Sequence, residues 1–202
     1  MKTIVILILS AFCLTACQSE EKNEAEVSAW GWNNIRKNFP KKNQSEFDFS
    51  PSGEPLNDIE DLPKLDSVDF NHIVKQIKTY DNWKEYLELY YYSLNYAQEI
   101  EFGIFLSIVE FDGTTYSFDL ISFNDNGEVD RFEPLANSWQ AAECFGYQRS
   151  SIDFNEEIMI SQKLQKCYDE NAPNHQAIDS VVTKTSLENL IFKVIETDTI
   201  KK

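Results

Sequence analysis

The hydrophobic pattern changes period once along this chain. Over residues 66–95 apolar positions recur at helical spacing. Phe70, Ile73, Val74 and Ile77 stand at i, i+3, i+4 and i+7, one face of a helix, with Asp66 and Ser67 ahead of them as N-cap residues. Asp81 or Asn82 would cap a second helix through Trp83, Tyr86, Leu87, Tyr90, Tyr91 and Leu94, although Tyr90-Tyr91-Tyr92 also has strand propensity. From Glu101 onward the period falls to two. Phe102, Ile104, Leu106 and Ile108 alternate, and Phe105 and Val109 make the opposite face apolar, the pattern of a strand covered on both sides. Asp112-Gly113 reads as a tight hairpin turn. Tyr116, Phe118 and Leu120 alternate on the next strand, and a flip of phase at Ile121 and Phe123 predicts a β-bulge. Asn126-Gly127 marks a second hairpin with a returning strand over 128–135. Further strands are expected at 142–148, 158–164, 178–185 and 190–195.

No helix-length crossover separates these strands, so their pairing should be antiparallel. The expected fold is α+β and β-rich: one or two N-terminal helices packed on an antiparallel meander of about six or seven strands. The alternative is an all-β sandwich or partial barrel, in which the Tyr-rich stretch is itself a strand. Residues 29–65 are irregular, with Trp30 and Trp32 close together and Pro51, Gly53, Pro55 and Pro63 behind them. Pro and Gly at this density disfavour long helices and central strands, so an extended segment is expected there, ahead of a single globular β-rich domain over 66–202.

The N-terminus has a different character. A positive start, Met1-Lys2, precedes an uncharged apolar run over 4–16. That run is too short for a spanning helix, which needs roughly 20 apolar residues, and has the length of a signal-peptide core. It ends in Leu14-Thr15-Ala16-Cys17. These four residues resemble the lipobox of a bacterial lipoprotein. The resemblance implies cleavage behind Ala16, leaving 186 of the 202 residues, and lipidation of Cys17. Gln18 stands where the family's inner-membrane retention signal has Asp, which implies the outer membrane of a Gram-negative cell. The polar, acidic stretch over 17–28 cannot bury enough surface to fold and reads as a flexible tether. It is also similar to the short acidic signals that send some lipoproteins to the cell surface, so either the surface or the periplasmic face is implied. The remaining 186 residues resemble no characterised family.

Charge narrows the partners. With 34 acidic and 18 basic side chains the formal charge is −16, and loss of Lys2 with the signal makes it −17. A nucleic-acid partner is excluded on this ground, since neutralising phosphates takes a basic face. The expected partners are the membrane, through the lipid, and a protein, which for so acidic a chain would be basic.

The residues that could carry chemistry are few. His72 and His175 are read as surface residues. The two His, with no H-E-x-x-H and no Cys/His cluster, give no metal site, and the sparse Gly offer no phosphate-binding loop; no cofactor is expected. Asn124-Asp125-Asn126-Gly127-Glu128 is similar to part of a calcium loop, but Ser122 stands where the first liganding Asp belongs, so the stretch reads as a hairpin turn. Cys144 and Cys167 lie on neighbouring predicted strands and are candidates for a disulfide in an exported protein, with two separate buried thiols as the alternative. Asp119 sits within the apolar stretch 116–123. Sharing a face with Ser117, it is expected to point outward; turned inward it would carry a raised pKa. The candidate ligand contacts are Trp30, Trp32, Tyr90, Tyr92 and Asp119, and no catalytic residue is assigned.

These features together predict a non-catalytic binding or interaction module at the outer membrane, with an immunity-protein-like contact to a basic partner as one version. The alternatives are a surface enzyme acting on glycans through paired carboxylates and a structural accessory of an outer-membrane complex.

Overall fold

The computed structural model describes residues 30–50, 53–55, 59, 61–97, 99–141, 144–168 and 176–201. The expectations for residues 1–16 and 17–28, for lipidation of Cys17 and for His175 lie outside the described residues. The chain divides into two units, Met1–Gly31 and Trp32–Lys202, and the second carries the fold.

That unit is built on one sheet. Two short strands, β1 (Lys41–Lys42) and β2 (Glu46–Phe47), precede eight long ones: β3 (Leu87–Ala97), β4 (Ile100–Glu110), β5 (Thr114–Phe123), β6 (Val129–Ala141), β7 (Cys144–Asp153), β8 (Ile158–Tyr168), β9 (Gln176–Ser186) and β10 (Lys193–Lys201). The long strands follow one another as an antiparallel meander in chain order. The meander therefore runs to eight long strands where six or seven were expected. Among the described residues three short α-helices accompany it: α1 (Trp32–Ile35), α2 (Ser67–Val74) and α3 (Lys78–Trp83). The protein is β-rich α+β.

The expected second helix, capped at Asp81 or Asn82 and running through Leu94, does not form: α3 has Ile77 at its N-cap and ends at Trp83, so Asp81 and Asn82 lie inside it, and Leu87 onward is β3. One misleading signal is a bulge. Tyr91 pairs with Phe105 and Ser93 with Ile104, so Tyr92 is an extra residue on β3. Before the bulge Leu89 and Tyr91 share one face; after it Leu94 does. The bulge thus stretches a period-two pattern to a spacing of three, which mimics a helix. The phase flip read near Ile121 has its register shift at Ser122/Phe123. There the extra residue is Asp130 on β6, and a second shift leaves Leu135 extra beside Pro134. Proline belongs at such a place, because a bulge relieves it of a ladder hydrogen bond.

The sheet curls. β1 pairs with β3 and β2 with β7, although only three residues separate β1 from β2. The amide of Asn43 donates to the carbonyl of Leu94, and that of Ile152 to the carbonyl of Ser45. Four strand spacings of a flat sheet, roughly 19 Å, exceed what that link can span. Inside the curl lie Phe47, Phe49, Tyr92, Phe102, Ile104, Leu106, Phe118, Leu120 and Leu135, all buried. On the opposite face of β3–β5 the residues Leu89, Tyr91, Phe105, Ser107 and Asp119 are also buried.

Helix α2 is one of that face's covers. Its N-cap Asp66 accepts from the amides of Val68 and Asp69; of the predicted face Ile73, Val74 and Ile77 are buried and Phe70 is half-buried. Asp69 is buried too and accepts the hydroxyl of Tyr91 on β3. His72, expected at the surface, is half-buried and bonds through Nε2 to the carbonyl of Gly127 at 2.8 Å. The amide of Val129 donates to Oε1 of Gln76 at 2.8 Å. These contacts pin α2 to the β5–β6 hairpin, whose turn is closed by Asn124 Oδ1 accepting from the amides of Asn126 and Glu128.

Candidate functional site

Helix α3 and the outer faces of β4, β5 and β6 enclose a groove of about 490 Å³. Its floor is polar and its walls are aromatic. Asp119 closes the floor and is only 1% exposed. This corrects the expectation that Asp119 points outward: it does share a face with Ser117, but α3 lays Tyr80 over that face. Sequence alternation assigns a face, and only packing shows what covers it.

Three hydroxyls hold the carboxylate. Tyr80 donates to Oδ2 at 2.5 Å, Ser107 to Oδ2 at 2.7 Å and Ser117 to Oδ1 at 2.6 Å. Burial pushes the Asp119 carboxyl above the ordinary carboxylate range, while the three donors pull it back by stabilising the charged form. The Tyr80 phenol is pushed well above its usual value, first by burial and then by the charge and hydrogen bond of Asp119. Its ring stands edge-on to Phe132 with centroids 5.2 Å apart.

The mouth of the groove carries an exposed aromatic knot. Phe111 packs against Trp83 at 5.4 Å and against Tyr86 at 4.9 Å. The three are 53%, 40% and 44% exposed. The β4–β5 turn presents Phe111, with Asp112 and Gly113 both at positive φ and the amide of Phe111 donating to the carbonyl of Gly113. Trp139 lines the groove from β6 and lies against Gly146, where a Cβ would stand 2.0 Å from its Cζ2. The ammonium of Lys163 sits 5.0 Å from the Trp139 ring centroid.

Of the five ligand contacts proposed from sequence, Asp119 alone lines this groove. Trp32 stacks on Phe123 at 5.1 Å and donates its indole N–H to Oε1 of Glu101 at 2.5 Å. Tyr90 donates its hydroxyl to Oε2 of Glu88 at 2.5 Å. Tyr92 is core, with the Lys41 ammonium 4.4 Å from its ring centroid. Trp30 belongs to the other unit. Cys144 and Cys167 stand directly opposite each other on β7 and β8 and are joined in a disulfide.

Ser107, Phe111 and Trp139 were not singled out from the sequence; Tyr80 was read as part of the Tyr-rich stretch, mostly core with a contact surface as the alternative, and Trp83 as part of the expected second helix. One signal was present: Phe111 directly precedes the Asp112-Gly113 turn, where an aromatic side chain has little to pack on. Among the described residues that line the groove, Asp119 is the one carboxylate. The paired acids of a glycan-cleaving site are thus not assembled from those residues.

No family model matches the chain, and comparison with curated proteins and with solved structures gives no match either.

Proposed function

We propose that the protein is a non-catalytic binding module, lipidated at Cys17 and held at the outer membrane, which engages a protein partner through the groove between α3 and β4–β6. The observation that carries the reading is the knot of Trp83, Tyr86 and Phe111. Three large aromatic side chains, each at least 40% exposed and packed on one another at the mouth of a groove, form the kind of surface that protein contacts cover. The lipobox residues Leu14-Thr15-Ala16-Cys17 support the anchor. With a tether behind the lipid, such a module would hold its partner close to the membrane.

Site-specific photo-crosslinking in cells tests this reading. A crosslinker at Phe111 is compared with one at Thr197 on β10, an exposed site away from the groove. Discrete adducts from position 111, recovered with the outer membrane and lost in Trp83→Ala, are the expected result. Equal adducts from both positions would overturn the groove as the binding surface. A chain that partitions as soluble with Cys17 intact would overturn the anchor.

A further inference from the structure

Asp119 is a buried carboxylate without an ion-pair partner among the described residues. Its three partners are neutral hydroxyls. A carboxylate has about four acceptor positions, and among the described residues Oδ1 holds a single donor. Burying an uncompensated charge is expensive, and here it is done at the floor of a groove open to solvent rather than in the core.

The walls have matching chemistry. Trp83, Phe111, Phe132 and Trp139 present π faces or edges to the groove. Trp139 already holds one ammonium, that of Lys163. Aromatic faces attract lysine and arginine side chains, most strongly where water is excluded. The rim repeats the sign of the floor. Asp81, Glu85, Glu110 and Asp112 are exposed on the segments that carry Trp83 and Phe111, against two exposed cations, Lys78 and Lys84, of which Lys84 pairs with Asp81 at 3.4 Å. A surface of this sign repels anionic lipid. A small polycation would satisfy the charge but leave the aromatic knot bare, whereas a basic protein can cover both.

We infer that the groove docks a basic protein partner, one lysine or arginine of which enters between the aromatic walls with Asp119 as its counter-ion. This rests on the binding-module reading above and adds the partner's chemistry and the residue that selects it.

The test uses the purified full-length chain and two capped pentapeptides, Ala-Leu-Arg-Leu-Ala and the same sequence with citrulline, the neutral isostere, for arginine. Binding is read by tryptophan fluorescence. The arginine peptide should bind at least about tenfold more tightly than the citrulline peptide, and Asp119→Asn should abolish that preference. Glu196→Gln, which removes an equal charge from β10, should leave it intact. Phe111→Lys places a cation at the mouth from an exposed position, so it keeps the fold and should block the arginine peptide even where Asp119→Asn is unstable. Equal binding of the two peptides overturns the inference, as does an equal loss in Asp119→Asn and Glu196→Gln, which would mean that only the long-range field acts. Crosslinks from Phe111 in cells that persist undiminished in Asp119→Asn would overturn the counter-ion role and leave the binding module standing. Absence of crosslinks from Phe111 would overturn both.

Discussion

The hydrogen bond from Tyr80 to Asp119 makes a prediction with both a size and a pH signature. Tyr80→Phe removes one hydroxyl and keeps the ring, which is 4% exposed and packed edge-on to Phe132. No cavity larger than an oxygen atom results. A buried hydrogen bond to a charged acceptor contributes about 1.5–3 kcal/mol. Asp119 keeps Ser107 and Ser117, so the loss should fall near 2 kcal/mol. The pH dependence follows from linkage. Burial holds the folded Asp119 carboxyl above its unfolded value, so Asp119 lowers wild-type stability progressively as pH rises from the unfolded value to the folded one. The Tyr80 bond works against that rise, and Tyr80→Phe moves the folded value higher still. The cost of the substitution is therefore full where Asp119 is ionised in both proteins. It shrinks as pH falls through the folded Asp119 value, because a protonated carboxyl has less need of the donor. The phenol stays neutral throughout, since its own value is pushed well above the ordinary range. Urea unfolding of both proteins from about pH 8 down to about pH 4 measures the difference, with m-values checking that both unfold from equally compact states. A difference below about 0.5 kcal/mol at the alkaline end, or one that does not change with pH, would refute the reasoning.

Two further predictions concern the frame around the groove. Removing the disulfide in Cys144→Ser/Cys167→Ser releases a link across 23 residues and should cost about 3 kcal/mol, seen as a lower urea midpoint that reductant does not change further. Gly146→Ala forces a Cβ against the Trp139 indole and should cost about 1–3 kcal/mol, with a shift in tryptophan emission as the ring moves into the groove; an unchanged spectrum would show that the ring yields elsewhere.

Much of the architecture was legible because it depends on short-range rules. Asp112-Gly113 and Asn126-Gly127 set two hairpins through positive-φ backbone, and Asp66 opens α2 through its side-chain cap. The period-two pattern from Phe102 onward could be read as strand without knowing any partner. The helical expectation failed over 87–94, where the bulge at Tyr92 gives the strand one helical spacing, Tyr91 to Leu94, since the extra residue exists only relative to β4.

The groove lay beyond local rules for the same reason. Asp119 meets Tyr80 across 39 residues, and Trp83 meets Phe111 across the connection from α3 to the β4–β5 turn. Nothing in the local sequence distinguishes an outward Asp from one that a helix will cover. By itself the sequence determined the antiparallel meander, the turns, the acidic charge and the Leu14-Thr15-Ala16-Cys17 motif, because each is a property of neighbouring residues or of composition. Only the tertiary structure decided that β1 and β2 curl the sheet and that α3 roofs β5. Those outcomes are set by contacts between segments far apart in the chain, whose energies no single segment carries.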